Sequence, residues 1–261
     1  MLAVIAGLLG LLCGSFANVL IARVPAGEQW VRGSSHCPRC GHDLAWYDNV
    51  PVVSWLWLRR KCRHCQAPIS GRYPLVEVVV AALFVAVAMV YGASVFALGL
   101  MYLAVVTVAL AAIDLEHRRL PNSLTLPSYL VMAAVVVGQS WIGGDWWMAG
   151  RALAGGLILG GFYFVMWFAY PKGMGFGDVK AAGMLGLALG AVGWGAIAVG
   201  SIAGPLIGGV AGVAVIIRTR RARGVAIPFG PWLIAGAWLG ILAGDWIGHG
   251  YVEFVTGGLS S

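Results

Sequence analysis

A chain of 261 residues that is 60% hydrophobic and 10% charged, with 39 glycines, departs from a soluble domain, where about a quarter of residues are charged. The expected fold is therefore all-α and polytopic in a membrane. The net charge of +7 raises nucleic acid as a partner, but sixteen of the seventeen Lys and Arg residues are gathered into a few short stretches between apolar runs. That distribution marks topology and excludes nucleic acid as the expected partner.

The first apolar run, MLAVIAGLLGLLCGSFANVLIARVP, has no basic residue ahead of it and is long enough to span, so a cleaved signal peptide is not expected. Leu12 is too large for the position before a lipoprotein cysteine, and Cys13 reads as a packed apolar residue. A membrane helix needs about 20 mostly apolar residues. About eight runs qualify in order, at residues 2–24, 75–91, 93–113, 124–142, 150–170, 179–197, 199–217 and 229–247, the sixth and seventh almost touching.

Charge then orients the runs. Arg23, Arg32, Arg39, Arg59, Arg60, Lys61, Arg63 and Arg72 fall between the first and second, Arg118 and Arg119 between the third and fourth, Lys172 and Lys180 between the fifth and sixth. Arg218, Arg220, Arg221 and Arg223 fall between the seventh and eighth, and only Arg151 lies on the other side. Eight alternating spans put these stretches on one face, which the positive-inside rule makes cytoplasmic, with both termini outside. The expected division is a first helix at 1–24, a loop module at 25–74, a seven-helix core at 75–248 and a tail at 249–261.

The loop of about fifty residues is too small for a substantial core. It carries Cys37-Pro-Arg-Cys40 and Cys62-Arg-His-Cys65, close to the spacing of four-thiolate zinc sites. A cytoplasmic loop is reducing, which disfavours disulfides, and four thiolates fill a tetrahedral shell, so the expected zinc is structural. His36, His42 and His64 read as solvated loop residues. Further along, the four-residue ladders Gly200, Gly204, Gly208, Gly212 and Gly236, Gly240, Gly244, Gly248 each occupy one helix face, for close packing or for sliding that admits a substrate.

Two carboxylates need a reason to sit at a membrane edge. Asp114 closes the third run in AAIDLEHRRLPN and Asp178 opens the sixth in GMGFGDVK. The third run heads inward and the sixth starts from inside, so both fall at the cytoplasmic boundary. On neighbouring helices in a water-poor site, such a pair shares one proton. One member then serves as the base that deprotonates water and the other as the acid that polarises a scissile carbonyl. Gly175 and Gly177 would let backbone and substrate come close and free the chain to turn into the helix, while Lys180 anchors the helix end or neutralises the pair.

Plainer readings exist for each. Asp178 gains from the dipole at a helix start, and Asp114 can pair with Arg118 one turn on. Asn18 and Glu77 line the same cleft or bond neighbouring helices, and Glu116, His117 and Asp145 are interface charges. A proton-coupled transporter with a zinc loop also uses membrane-edge carboxylates, but it would string more ionisable residues through the mid-membrane zone than this chain has.

The motifs also occur together in one known family. The chain resembles the prepilin peptidases, or type IV leader peptidases, from end to end. The likeness runs through GSFANVLIARVP, the cysteine stretch CPRCGHDLAWYDNVPVVSWLWLRRKCRHCQAPISGRYPLVE, then IDLEHRRLPN, MGFGDVKAAGMLG and IPFGPWLIAG. The resemblance implies that Asp114 and Asp178 are the catalytic pair of a GxGD-type intramembrane aspartic protease and that Cys37, Cys40, Cys62 and Cys65 bind zinc. It implies prepilin and pseudopilin substrates, cut after a glycine at the cytoplasmic face of the bacterial inner membrane. Bifunctional members then methylate the new N-terminus with S-adenosylmethionine; a peptidase lacking that step is the alternative. No glycine-rich nucleotide loop is present, so the methyl donor rests on the resemblance and no residue is assigned to it. Asn122 stands where the family often has aspartate, and Trp232 where it often has Phe. The stretch 46–60, rich in Trp and Arg, is expected to lie along the membrane surface.

Overall fold

The computed structural model describes residues 1–31, 35–171, 173–219 and 228–257. Arg32, Lys172, Arg220, Arg221 and Arg223 of the basic stretches, Ile227 of the last motif and residues 258–261 of the expected tail lie outside the described residues. The described residues form helices and no strands. Each of the eight apolar runs is a helix: α1 (Leu2–Ala26), α3 (Arg72–Tyr91), α4 (Val95–His117), α5 (Asn122–Gly143), α6 (Trp146–Ala169), α7 (Phe176–Val192), α8 (Trp194–Thr219) and α9 (Gly230–Gly257), with a short α2 (Val53–Trp57) in the loop. Six of them, α1, α3, α4, α5, α6 and α8, are long and apolar enough to cross a membrane. By contrast α7, with 17 residues, is shorter than that length.

Several boundaries differ from the sequence expectation, each for a local reason. Asp145 is no free interface charge, because its carboxylate accepts the backbone N–H groups of Trp147 and Met148 at 3.0 and 3.3 Å. That N-cap starts α6 at Trp146, ahead of the expected residue 150. The junction between α7 and α8 falls at Gly193, earlier than the gap expected between residues 197 and 199. Helix α4 continues to His117, so Asp114 lies within its last turns and not at its end. Helix α9 runs to Gly257, into the stretch expected as a tail.

The chain divides into two compact units, Met1–Ala112 and Ile113–Ser261. In the first, α1 packs along α3. A Cβ at Gly14 would come within 2.6 Å of the Glu77 Cα, so glycine there is what brings the two backbones together. Cys13, half-buried, packs as an apolar residue should.

In the second unit α7 is the central helix, packed against α5, α6, α8 and α9. Its sequence FGDVKAAGMLGLALGAV is small or apolar all round, as a helix surrounded by others must be. Gly155 of α6 meets Gly186 and Gly190 of α7, while Gly160 meets Gly183, whose Cα would stand 3.2 Å from a Cβ there. The ladders of α8 and α9 interlock likewise, Gly236 against Gly204, and Gly240 against the Gly200 Cα at 2.9 Å. Close packing is thus what these ladders do in the structure.

Gly186→Leu is expected to force α6 and α7 apart and to cost at least the 1–3 kcal/mol typical of an overpacked core, about what inserted methylenes cost elsewhere. Thermal unfolding of the protein in detergent or bilayer checks it against Gly161→Ala, where a new Cβ meets nothing within 4 Å. The control is expected to be neutral or slightly stabilising.

Candidate active site

The site is assembled within the second unit, from the last turns of α4, which reach into it, and from α6, α7 and α9. Asp114, in the last turns of α4, is 5% exposed, and Asp178, in the first turn of α7, is 8% exposed. They come from positions far apart in sequence and lie close enough to interact electrostatically. The Asp114 Oδ2 accepts the backbone N–H of Gly230 at 3.1 Å. Gly230 is the first residue of α9, where N–H groups lack partners within the helix and the helix dipole favours negative charge. A Cβ at Gly230 would come within 2.7 Å of that same oxygen, so only glycine brings the donor this close. Arg118 does not hold the carboxylate: it is exposed, and its backbone N–H bonds the Asp114 carbonyl.

Tyr163 of α6 joins the pair. It is 1% exposed, its ring stands 5.7 Å from that of Phe229, and its hydroxyl has no hydrogen-bond partner. Helices α6 and α7 run antiparallel, with Gly160 beside Gly183. Three residues further along that register, Tyr163 faces Lys180, within a turn of Asp178, and it interacts electrostatically with that carboxylate. Sequence reasoning missed both Gly230 and Tyr163. The Gly-Pro pair opening the last apolar run was a helix-start signal that could have found Gly230; nothing in the sequence distinguishes Tyr163 from its aromatic neighbours.

The flanking residues take roles narrower than the sequence allowed. Gly175 has φ −75° and ψ 143°, open to any residue, so the turn into α7 does not need glycine. Gly177 admits Leu120, whose Cβ would stand 3.1 Å from a Cβ at that position. The Lys180 ammonium bonds the Asn122 Oδ1 and lies 5.1 Å from the centre of the Phe176 ring. It therefore ties α7 to the start of α5 and makes no ion pair with Asp114 or Asp178. The Tyr129 hydroxyl donates to the Lys180 carbonyl at 2.7 Å, making a second tie between the same helices.

The four cysteines form a separate centre in the first unit. The Cys37 N–H donates to His42 and the Gly41 N–H to Cys37, and the second hairpin repeats this with Cys62, Ala67 and Gln66. Gly41 and Gln66 hold matching positive φ values of 69° and 57°. The two turns bring all four Sγ atoms within 4.8 Å of one another, with Cys37 and Cys65 at 3.8 Å. Sulfurs at about 2.3 Å from a tetrahedral zinc stand roughly 3.8 Å apart, so the cluster fits a metal of that kind. Backbone N–H groups of Arg39 and Cys40 pull the Cys37 thiol down to about 6, which leaves a thiolate ready at neutral pH. The His42 and His64 rings face each other at 3.5 Å and are not part of the cluster.

From residue 35 to 71 only Cys37, Pro51 and Cys62 are buried, so a bound metal would take the place of a core. Arg63 bonds Asp48 at 2.7 Å across the loop. Trp46 and Trp57 are each 80% exposed, a pattern suited to a membrane surface. Asn18 and Glu77 are buried between α1, α3 and the loop.

Comparison with known proteins places these features in a context. Residues 8–91 match the model for the bacterial peptidase A24 N-terminal domain and residues 101–217 the model for the type IV leader peptidase family. The chain is 36% identical to a prepilin leader peptidase/N-methyltransferase of Aeromonas hydrophila over 94% of its length and 92% of that protein's. A protein of the same description from Pseudomonas aeruginosa is 35% identical over 95% and 92%, and one from Myxococcus xanthus 39% identical over 84% and 65%. No solved structure gives a significant match.

Proposed function

The chain belongs to the type IV leader peptidase family, and on that premise we propose that it is a membrane aspartic endopeptidase acting on type IV prepilins and pseudopilins. It cuts the leader after a glycine at the cytoplasmic face of the bacterial inner membrane and methylates the new N-terminus. The observation that carries the hydrolytic half is the burial of Asp114 and Asp178 in one place, from helices distant in sequence.

The chemistry follows from that pair. One carboxylate takes a proton from a water molecule as the water oxygen bonds to the scissile carbonyl carbon, and the other, protonated, donates to the carbonyl oxygen. The C–N bond then breaks, and the leaving amine departs with the proton that water gave up. The Gly230 N–H holds Asp114 in place, so the substrate meets a carboxylate already oriented. A prepilin joins a basic leader to an apolar helix, so its scissile bond lies at the membrane boundary where topology sets both aspartates. The basic stretches face the cytoplasm and both termini lie outside. Residues 25–74 form a module in which Cys37, Cys40, Cys62 and Cys65 would hold a zinc whose role is structural. S-adenosylmethionine, when bound, supplies an electrophilic methyl group.

Tyr163 completes the hydrolytic site as a donor to the scissile carbonyl oxygen. Its hydroxyl is buried and unpartnered, so a substrate oxygen is the acceptor it lacks. Tyr163→Phe is expected to lower kcat about 100-fold, as loss of an oxyanion donor does, with KM and thermal stability unchanged or slightly raised. Steady-state cleavage of a prepilin peptide, read beside a melting curve, checks it. An unchanged kcat would leave the hydroxyl without this role.

A further inference from the structure

A second buried polar site lies in the first unit. Glu77 is 7% exposed on α3 and faces α1 across Gly14. Its Oε2 accepts the Val52 N–H at 2.8 Å, and the Ser15 hydroxyl also reaches the carboxylate. Val52 holds φ 60° and ψ −48°, a conformation that a β-branched residue adopts only under constraint. The loop is thus bent to present this N–H to the acid. One turn along the same interface Asn18, 5% exposed, donates its amide to the Tyr73 carbonyl at 3.1 Å and to the Gly14 carbonyl at 3.4 Å, while its Oδ1 has no partner.

The pairs Gly14–Glu77 and Asn18–Tyr73 fix the register of α1 against α3, so the Asn18 amide and the Glu77 carboxylate occupy adjacent layers. Among the described residues no cation bonds the Glu77 carboxylate. Arg72, the nearest basic residue in sequence, lies over the Tyr73 ring at 5.4 Å. A buried acceptor without a donor beside a carboxylate without a cation is costly in an apolar setting. It is the complement of an ammonium group, which brings donors and positive charge together.

We propose that Glu77 and Asn18 form the binding site for a peptide α-ammonium group, namely the N-terminus freed by leader cleavage, with Glu77 as its proton acceptor. The assignment rests on the processing and methylation reading above and deepens it. An N-terminus at the head of an apolar helix needs acceptors at the membrane boundary, and Asn18 Oδ1 and the Glu77 carboxylate supply them. Glu77 takes one proton from the ammonium. The neutral amine then forms its N–C bond to the methyl of a sulfonium donor as the S–C bond breaks, the electron pair staying on sulfur. The product is a methylated ammonium, a thioether and a protonated Glu77 that returns its proton to water.

The test uses the full-length protein in phosphatidylcholine and phosphatidylglycerol bilayers, which contain no primary amine, with a synthetic apolar peptide bearing a free N-terminus. A membrane-permeant carbodiimide joins an amine to a carboxyl that touches it. Peptide mapping is expected to find the peptide N-terminus coupled to Glu77, and coupling only at other carboxyls would overturn the assignment. The free peptide is expected to bind about tenfold more tightly than its N-acetylated form, the worth of a hydrogen bond to a charged group. Glu77→Gln, which can still accept the Val52 N–H, is expected to abolish that preference. It should also lower the methylated share of released product about 100-fold, as loss of a general base does. A preference and a share that survive the substitution would refute the proposal. Should Glu77→Gln fail to fold, Asn18→Leu is expected to show the same lost preference, and the coupling result on the unaltered protein decides alone. If the unaltered protein cuts but never methylates, the methyl-transfer reading fails, while amine preference and coupling still test the site.

Discussion

Asp114→Asn and Asp178→Asn are each expected to reduce leader cleavage by about 10³- to 10⁴-fold, the scale on which general acid–base groups act, while the protein stays inserted and folded. Asparagine matches aspartate in shape, and at position 114 its side-chain oxygen can still accept the Gly230 N–H that Asp114 now accepts at 3.1 Å. What is lost is the capacity to take a proton from water or to give one to the carbonyl. The two residues act as one unit, so the double substitution is expected to be hardly worse than either single one. Two carboxylates with independent roles would instead show losses that multiply. Rates on a prepilin peptide, read with the melting temperatures of all four proteins, separate these cases. Gly230→Ala adds a distinct outcome: its new Cβ would come within 2.7 Å of the Asp114 Oδ2, and cleavage should fall although both carboxylates remain.

The second large effect is expected from the cysteines. Metal binding is worth on the order of 10 kcal/mol to a small zinc module, and from residue 35 to 71 only Cys37, Pro51 and Cys62 are buried to hold the fold otherwise. Cys37→Ser, or a strong chelator applied to the unaltered protein, is expected to take the metal content from one zinc per chain to none. The module should then open: residues 25–74 become the preferred site of limited proteolysis while the far-ultraviolet helix signal is nearly unchanged. Elemental analysis and protease mapping read the two halves separately. A protein that binds no stoichiometric metal, or keeps a protected module after Cys37→Ser, would remove the structural role assigned to the cluster. The Arg63–Asp48 pair, at 2.7 Å with the Arg63 side chain 43% exposed and that of Asp48 5% exposed, is no substitute, since one ion pair open to water on one side falls far short of what a bound metal contributes.

Much of this architecture is legible in the amino-acid sequence. Apolar runs of membrane length form helices because only a helix lets a single segment in lipid satisfy its backbone polar groups within itself, and the two CxxC pairs meet because their spacing repeats one turn. The same holds for the small-residue ladders of α8 and α9. Boundaries were harder. The α7–α8 junction at Gly193 sits in an apolar, glycine-rich stretch with no polar residue to mark it. Asp145 looked like a stray charge because a cap is defined by the N–H groups it meets, which only the fold supplies. Within the candidate site, the burial of Asp114 and Asp178 beside each other was legible because carboxylates are unusual in a membrane, whereas ordinary residues gave no such signal. Tyr163 is one of several aromatics in GGFYFVMWFAY, and its register against α7 alone sets it beside the acid. Gly230 likewise gains its role only when α9 delivers its first N–H to a residue far away in sequence. Lys180 shows the converse: of the two roles open to a charge beside GxGD, anchoring the helix end or neutralising the acids, the fold gives it the first, through Asn122.

Mass spectrometry of a prepilin peptide incubated with the purified, bilayer-reconstituted protein tests the two-carboxylate account most directly. The account predicts one cut, with a leader fragment ending in glycine and an intact mature fragment, and no cut when either Asp114 or Asp178 is asparagine. A peptide left whole by the unaltered protein, or cut equally well by the Asp114→Asn protein, would contradict it.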